Sequence, residues 1–280
     1  MCFQQQFILE QHVSGTYSVN LTVYNMQMHY ARARYDTYVN ILVHQQVKVV
    51  WFLSRFFFLS SQKQIPIMSK HILVTGANSG IGKALCKLLI KDHNCYVYLG
   101  CRNVSKGEAA ISDILEEVPD KAGNIEVLQI DVSDDASCIA AANVLKAKGV
   151  TLFALVNNAG VGLANLAGGG EQTILNTNYL GPKRVTDAIV GLIDSKEGRI
   201  VNTSSGAASM WLRGQDPETK ALFSNPNLTL EELDAAVQEH VAKKNFRMGG
   251  YGLSKAALCA LTLVQAKAYP NLLVTSLVSM

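Results

Sequence analysis

The sequence predicts an α/β fold in which helices cover both faces of a parallel sheet, and three observations support this. After Met68, short apolar runs alternate with stretches of helical periodicity, which is typical of βαβ units. A glycine-rich segment, residues 75–82, lies between the first apolar run and the first helical stretch. The composition, 49% hydrophobic and 17% charged, is that of a globular protein. Six runs are predicted as strands, at residues 72–75, 96–100, 125–130, 153–156, 200–202 and 272–278.

Two of the predicted helices have apolar faces that indicate how they pack. In the helix after the glycines the face consists of Ile81, Leu85, Leu88 and Leu89. In the helix that precedes the last strand it consists of Leu253, Ala256, Ala257, Ala260 and Leu261. The small residues of that second face would let its helix lie close to the sheet.

A long insert interrupts the alternation between the fifth strand and Tyr251. Within it, apolar residues recur at helical spacing, and Thr229 with Glu232 fits a capping box. We therefore expect an amphipathic helix on the body of the domain. It would either form a wall of the substrate pocket or decorate the surface. The apolar positions are Leu230, Leu233, Val237 and Val241.

The first 67 residues differ from the rest of the chain. They show no sustained period, and their most apolar part, residues 49–59, is about eleven residues long and contains Arg55, too short to span a membrane. The segment is also too far from the N-terminus for a signal peptide. We expect the natural chain to begin at Met68, with 68–280 as one domain and 1–67 as a disordered or spurious extension. A targeting or interfacial membrane segment is the alternative.

Charge and cysteine content exclude several kinds of protein. With 25 basic and 22 acidic residues the net charge is +3, and no basic cluster indicates nucleic-acid binding. The six cysteines are scattered without the close pairs of a metal site. Free thiols in the reducing cytoplasm are the expected state, and no metal is expected.

The position of Gly76, Gly80 and Gly82 predicts a dinucleotide site. These glycines fall directly between a strand and a helix, where a tight turn lets backbone amides approach a pyrophosphate at the positive helix end.

Tyr251 and Lys255 predict a group that transfers a proton. Four residues apart on a helix, they share one face, so the cation can lower the reference phenol pKa of about 10 and make the phenol an acid near neutrality.

Three motifs in this order resemble the short-chain dehydrogenase/reductase family. They are the Gly-x-x-x-Gly-x-Gly spacing, the segment Asn157-Asn158-Ala159-Gly160, and Tyr251-x-x-x-Lys255, and the resemblance extends from about residue 70 to the C-terminus. It implies a single Rossmann-like domain. The interval from Ser205 to Tyr251, 251 minus 205 or 46 residues, is similar to the monomeric NADPH-dependent carbonyl reductases. In those reductases the insert covers the surface that other family members use to form tetramers. The resemblance therefore implies that this protein is a monomer.

The resemblance also implies the site residues. The catalytic residues would be Asn178, Ser205, Tyr251 and Lys255, with Ser204 a packing neighbour. The cofactor-binding residues would be Gly76, Asn78, Ser79, Gly80, Ile81, Gly82, Arg102, Asp131, Asn158, Ala159, Gly160, Tyr251 and Lys255.

The end of the second strand predicts which dinucleotide binds. NAD-selective folds place an acidic residue there to bond the ribose hydroxyls, whereas this chain has Cys101 followed by Arg102. A guanidinium offers bidentate bonds to phosphate, so we predict NADP(H), with Ser79 assisting. A solvated surface arginine is the alternative. Asp131 matches the family position that bonds the adenine amino group, and an ordinary turn aspartate is its alternative.

The implied reaction is the reduction of a ketone, aldehyde or quinone by NADPH. As hydride reaches the carbonyl carbon, Tyr251 would protonate the oxygen and Ser205 would stabilise its developing charge. Lys255 would lower the phenol pKa and bond the nicotinamide ribose. Asn178 would anchor a water that connects Lys255 to solvent.

The chain departs from the family pattern after its sixth strand. Family members continue with a Pro-Gly turn at the nicotinamide and a mobile substrate loop, whereas this sequence stops at Met280. A C-terminally truncated, non-catalytic NADPH-binding protein is therefore one alternative function. A retinol-dehydrogenase-like reductase is another, since the glycine turn and Cys101-Arg102-Asn103 also suit it, although the insert argues for the carbonyl reductases.

Overall fold

Six parallel strands form one sheet in the computed structural model of the protein, which describes residues 70–162, 170–243 and 250–279. Their order across the sheet is β3-β2-β1-β4-β5-β6. The segment 1–67 lies outside the described residues. The strands are β1 (His71–Thr75), β2 (Tyr96–Cys101), β3 (Ile125–Gln129), β4 (Ala154–Asn157), β5 (Arg199–Ser205) and β6 (Leu273–Ser279).

Helices connect successive strands. The fourth helix continues through a π-helical turn, Asn176–Leu180, into the fifth, and this turn is called the π segment below. Short 3₁₀ turns occupy Pro119–Asn124 and Val190–Leu192. The helices are α1 (Gly80–His93), α2 (Val104–Glu117), α3 (Asp135–Ala147), α4 (Gly170–Leu175), α5 (Gly181–Ile189), α6 (Gly206–Arg213), α7 (Pro217–Phe223), α8 (Leu230–Ala242) and α9 (Tyr251–Ala268).

The direction of strand succession reverses between β1 and β4. β1 pairs on one side with β2 and on the other with β4, so the chain crosses the sheet after β3. At such a reversal the connections leave in opposite directions and open a crevice at the carboxyl ends of the strands. Two of the predicted motifs, the glycine turn after β1 and Asn157–Gly160 at the end of β4, lie at these ends.

Alternate residues of the strands fill two cores. Ile72 and Val74 of β1 belong to the core beneath α1 and α2, and Leu73 belongs to the core beneath α3 and α5, all with no exposed surface. Burial of each such side chain stabilises the fold by about 1.5–3 kcal/mol. The continuous apolar character of these strands follows from burial on both faces.

The fifth strand is longer than the predicted 200–202. The prediction followed the apolar run, which ends at the polar residue Asn202. The strand extends through Ser205 and pairs with β6 along its whole length. Asn202 is fully buried there, and its amide donates to Thr262 Oγ1 (3.0 Å) and Gln265 Oε1 (2.9 Å) of α9. Polar residues thus continue the strand because their hydrogen bonds are satisfied. The third strand, conversely, ends one residue earlier than predicted, at Gln129.

The insert contains the predicted amphipathic helix. Thr229 and Glu232 form the capping box, and the apolar side of α8 is buried, with Leu233 at 0% and Val237 at 2% exposure. These residues form a third core cluster with the apolar face of α9 and with Trp211 of α6. The insert also includes α7, which the sequence did not predict. Within the described residues no helix is long and apolar enough to cross a membrane.

Candidate active site

Two glycines of the turn between β1 and α1 have a backbone conformation that favours glycine. Gly76 and Gly80 have φ of +63° and +55°, a conformation that side chains rarely adopt. A Cβ atom on Gly76 would lie 2.6 Å from Cα of Ala159, whereas one on Gly80 would meet nothing within 4 Å. Gly76 therefore allows the turn to lie against the segment after β4, and Gly80 leaves the space beside the helix end open.

The N-terminus of α1 is suited to an anion. Ser79 is the N-cap, yet its side chain makes no capping hydrogen bond, and the first turn holds no acidic residue. The first N–H groups of a helix have no intrahelical partner, and the helix dipole makes this end positive. The chemistry of this helix end suits a pyrophosphate, and the predicted binding residues Asn78, Ser79, Ile81 and Gly82 lie in the turn and the first turn of the helix.

Thr75 and Asn158 hold the turn in place. The Asn158 amide donates to the carbonyl oxygens of Thr75 (3.0 Å) and Gly76 (3.3 Å). The Thr75 hydroxyl accepts from the backbone N–H groups of Asn158 and Ala159, both at 3.1 Å, and donates to the Val156 carbonyl oxygen. Asn158 thus joins the ends of β1 and β4. Sequence reasoning missed Thr75, although its position directly before Gly76 is a signal for it.

Arg102 and Asp131 lie at the ends of neighbouring strands. Arg102 directly follows β2 and is exposed, and the residue before it, Cys101, is buried. The Asp131 carboxylate accepts from the hydroxyl (2.6 Å) and the backbone N–H (2.9 Å) of Ser133. Burial opposes its ionisation, but the Ser133 bonds and the charge of Arg102 outweigh burial and lower the pKa of Asp131. A cation and a carboxylate held by hydrogen bonds therefore lie at the carboxyl ends of β2 and β3.

Lys255 is a buried cation on α9. Only 5% of the Lys255 surface is exposed, and its ammonium donates to the Thr203 carbonyl oxygen of β5 at 2.8 Å. Removal from water lowers the pKa of Lys255 from 10.5 to about 8. Near neutrality the group is still mostly protonated. Thr203 was not predicted, because its carbonyl reaches Lys255 only through the crossing of β5 and α9.

Tyr251 begins α9, one turn before Lys255. The Lys255 Nζ atom lies 5.8 Å from the centre of the Tyr251 ring, and the phenol is half-buried. Gly250, the N-cap, has φ of +79° and turns the chain sharply into the helix. The two side chains therefore share one face of α9, as the spacing predicted.

Asn178 and Lys255 both lie next to Gly160. A Cβ atom on Gly160 would come within 3.3 Å of Asn178 Oδ1 and 3.6 Å of Lys255 Nζ. Asn178 is fully buried in the π segment, where its oxygen accepts from the Val161 N–H (2.8 Å) and its nitrogen donates to the Val161 carbonyl (3.0 Å). Its nitrogen also donates to Ser254 Oγ at 3.2 Å. Asn178 thus fixes the segment after β4 relative to α9.

The two serines at the end of β5 have different environments. Ser204 is buried and donates to the Lys255 carbonyl oxygen at 3.1 Å, so it holds α9 against the sheet. Ser205 is half-buried at the carboxyl end of β5, where its hydroxyl caps α6 by accepting from the Ala207 N–H at 3.3 Å. Ser205 is therefore the serine with access to the crevice.

The fold and the site together define an oxidoreductase that uses a nicotinamide dinucleotide. A glycine turn suited to a pyrophosphate and a Tyr-Lys pair beside a buried asparagine converge on one crevice of a doubly wound sheet. Residues 70–216 match the model of the short chain dehydrogenase family. The chain belongs to this family.

Its relatives include several named reductases. A (-)-isopiperitenone reductase from Mentha piperita is 30% identical over 258 residues, covering 73% of this chain and 81% of the relative. Human carbonyl reductase [NADPH] 1 is 28% identical over 208 residues, covering 70% and 73%. Among solved structures, the menthone neomenthol reductase from Mentha piperita superimposes with a TM-score of 0.67 at 28% identity, covering 75% of this chain and 89% of that one.

Proposed function

We propose that the protein reduces a ketone, aldehyde or quinone to an alcohol with NADPH, and that Tyr251 donates the proton. The observation that carries this proposal is the buried Lys255 ammonium, held by Thr203 one helical turn from the Tyr251 ring. A cation beside a phenol stabilises its ionised form and makes proton donation easier. The names of two relatives, a carbonyl reductase and a menthone neomenthol reductase, support the same reaction class.

Each polar group of the crevice has a role in this proposal. The cofactor, when bound, supplies hydride to the carbonyl carbon. Tyr251 protonates the oxygen that gains charge, and Ser205 donates a hydrogen bond to it. Lys255 keeps the phenol reactive and bonds the nicotinamide ribose, while Asn178 holds a water that returns protons from solvent. Gly160 leaves the space beside Lys255 and Asn178 free of a side chain.

We assign NADP(H) as the cofactor on the charges near the adenosine end. Cys101 ends β2 at the position where an acidic residue would repel a 2′-phosphate, and the exposed guanidinium of Arg102, the next residue, can bond that phosphate. The fixed carboxylate of Asp131 suits the adenine amino group. A relative whose name specifies NADPH supports the choice.

The proposal extends to the assembly and location of the protein. We propose a monomer, because the insert, whose helix α8 packs on α9, resembles the insert that covers the tetramer surface in the monomeric carbonyl reductases. Sedimentation at micromolar concentration tests this, and a tetramer would contradict it.

A cytoplasmic location agrees with the free thiols of the five cysteines in the described part of the chain.

The decisive experiment measures NADPH oxidation by the 280-residue chain against a panel of ketones, aldehydes and quinones. We expect turnover that Tyr251→Phe lowers by about 10²- to 10⁴-fold, because the proton donor is lost. Tyr269→Phe, which changes a half-buried tyrosine just beyond the end of the same helix, is the matched control and should retain activity. NADPH fluorescence measures cofactor binding in each variant.

Two outcomes would contradict the proposal. If Tyr251→Phe bound NADPH and turned over at the wild-type rate, the proton donor would be another group. If the wild type bound NADPH but did not oxidise it with any carbonyl of the panel, the alternative of a non-catalytic NADPH-binding protein would replace the enzyme. A retinol-dehydrogenase-like activity would appear as selective turnover of long apolar aldehydes.

A further inference from the structure

The insert helix α8 is joined to the π segment that carries Asn178 by one partly buried hydrogen bond. The Tyr179 hydroxyl donates to Asp234 Oδ1 at 2.5 Å, and the bond joins residues 55 positions apart. Tyr179 is 1% exposed and packs among the apolar side chains that α8 and α9 share. A polar bond at the edge of an apolar contact favours one relative orientation of the two elements, because misalignment would leave the buried Tyr179 hydroxyl without a partner.

No other hydrogen bond between side chains links α8 to the rest of the described molecule. The remaining side-chain bonds of this helix are local: Thr229 pairs with Glu232 at its start, and Lys243 pairs with Glu239 at its end. The contact between α8 and α9 itself is apolar, through residues such as Leu233 and Val237. Among the side-chain hydrogen bonds of the described residues, the Tyr179–Asp234 bond is therefore the one that directs the insert on the π segment.

The bond persists over the working pH range. Burial, together with the hydrogen bond and negative charge of Asp234, raises the pKa of Tyr179 far above its ordinary value. The phenol therefore stays neutral and remains a donor whenever Asp234 is ionised. Tyr179 for this reason is no candidate for proton transfer. Its contribution is to orient the π segment relative to α8.

Asn178 and Tyr179 are consecutive residues of the π segment, so the direction of one fixes the direction of the other. Consecutive residues of a helix project in different directions, about 100° apart in an α-helix. Asn178 points to Val161 and Ser254, while Tyr179 points to Asp234. A π turn is rare and has no strong preference of its own over the α-helix, so tertiary contacts must hold it. The Tyr179–Asp234 bond is such a contact.

We infer that Tyr179 and Asp234 are positioning residues that set the direction of the Asn178 side chain beside Lys255. The insert thereby acts on the reaction from outside the crevice. The inference rests on the proposed function for the role of Asn178. The direction of Asn178 itself is independent of that role, because it is defined by the bond from the Val161 N–H to Asn178 Oδ1.

The test compares Tyr179→Phe and Asp234→Ala with two kinds of control. Asp234→Asn retains an oxygen that accepts the phenol proton and should restore the wild-type behaviour. Glu231→Ala removes the same charge from an exposed position of the same helix and should change nothing. The first readout is hydrogen exchange of the Val161 amide. We expect faster exchange in Tyr179→Phe and Asp234→Ala, and wild-type exchange in Asp234→Asn and Glu231→Ala.

The second readout is the kinetics of carbonyl reduction. We expect kcat to fall about tenfold in Tyr179→Phe and Asp234→Ala, with KM for NADPH unchanged, because displaced catalytic groups lower the rate without weakening cofactor binding. Unchanged exchange and unchanged kcat in both variants would overturn the inference. Faster exchange with unchanged kcat would overturn the effect on the reaction, since the pair would then hold Asn178 without influencing carbonyl reduction.

Failure of the proposed function would be recognised separately. If the wild-type protein reduced no carbonyl, the proposed reaction would be wrong, and the exchange of the Val161 amide would decide the positioning of Asn178 by itself. Faster exchange in Tyr179→Phe and Asp234→Ala but not in Glu231→Ala would then support the pair. Equal exchange in all the variants would exclude it.

Discussion

The two sides of the crevice are built from different parts of the polypeptide. On the side of β1 and α1 the site consists of main chain: glycines at positive φ, a free helix end and carbonyl oxygens held by Asn158. On the side of β5 and α9 it consists of side chains, with Lys255 and Asn178 buried among elements distant in sequence. The first side depends on shape, and the second depends on protonation and direction.

This difference predicts different responses to mutation. A main-chain site is damaged by any added Cβ atom that meets backbone, and the damage includes lost stability. A site of buried polar side chains is damaged by removal of one group, and its activity changes with pH. Three predictions test this division, and they are described from the largest expected effect to the smallest.

The largest effect is expected at Lys255. Its pKa of about 8 predicts that kcat/KM for carbonyl reduction is highest below pH 8 and falls about tenfold per unit above it, because the neutral amine no longer assists the phenol. Lys255→Met should lower kcat by about 10²- to 10⁴-fold and lose this dependence. The measurement is a pH profile of both proteins.

Stability should change in the opposite direction over the same pH range. Because the pKa of Lys255 is lower in the folded protein than its ordinary value of 10.5, the unfolded chain binds more protons between pH 8 and 10.5. The contribution of Lys255 to the free energy of unfolding therefore rises with pH in this window. Denaturant titrations of the wild type and Lys255→Met should show the wild type gaining relative stability as pH rises. Relative loss would contradict a buried ammonium.

An intermediate effect is expected in a series of glycine substitutions. Gly76→Ala combines positive φ with a contact of 2.6 Å to the Ala159 backbone, and it should lower the free energy of unfolding by more than about 2 kcal/mol. Gly80→Ala has positive φ in open space and should cost about 1–2 kcal/mol. Gly191→Ala, with neither feature, should stay within about 0.5 kcal/mol.

Thermal and denaturant unfolding measure these differences, and NADPH fluorescence measures their effect on the site. The order matters more than the values. Equal losses for Gly76→Ala and Gly80→Ala would show that strain alone limits the turn and that its contact with Ala159 does not.

The smallest effect is expected at Arg102. Removal of a charged hydrogen bond costs about 1.5–3 kcal/mol, so Arg102→Ala should weaken NADPH binding about 10- to 100-fold and leave NADH binding unchanged. Lys106→Ala, an exposed cation on the following helix, is the control and should change neither affinity by more than a few tenths of a kcal/mol. Wild-type protein that bound NADH as tightly as NADPH would refute the role of Arg102.

Much of the architecture was predictable because its signals are local. Six strands were predicted near their observed positions, since strands buried on both faces form apolar runs, and the capping box of Thr229 and Glu232 marked the start of α8. The prediction was wrong at the ends of β3 and β5 and did not include α7. Buried polar residues such as Asn202 continue a strand only when distant partners satisfy them, and a sequence does not show those partners.

The sequence by itself determined the fold class, the glycine turn and the shared face of Tyr251 and Lys255, because each depends on residues within a few positions of one another. The tertiary structure decided the rest of the crevice. It brought Lys255 to Thr203 across 52 positions, Asn178 to Ser254 across 76, and Tyr179 to Asp234 across 55. Such contacts arise where separate elements cross, and crossing is set by the packing of the whole core, which no short segment contains.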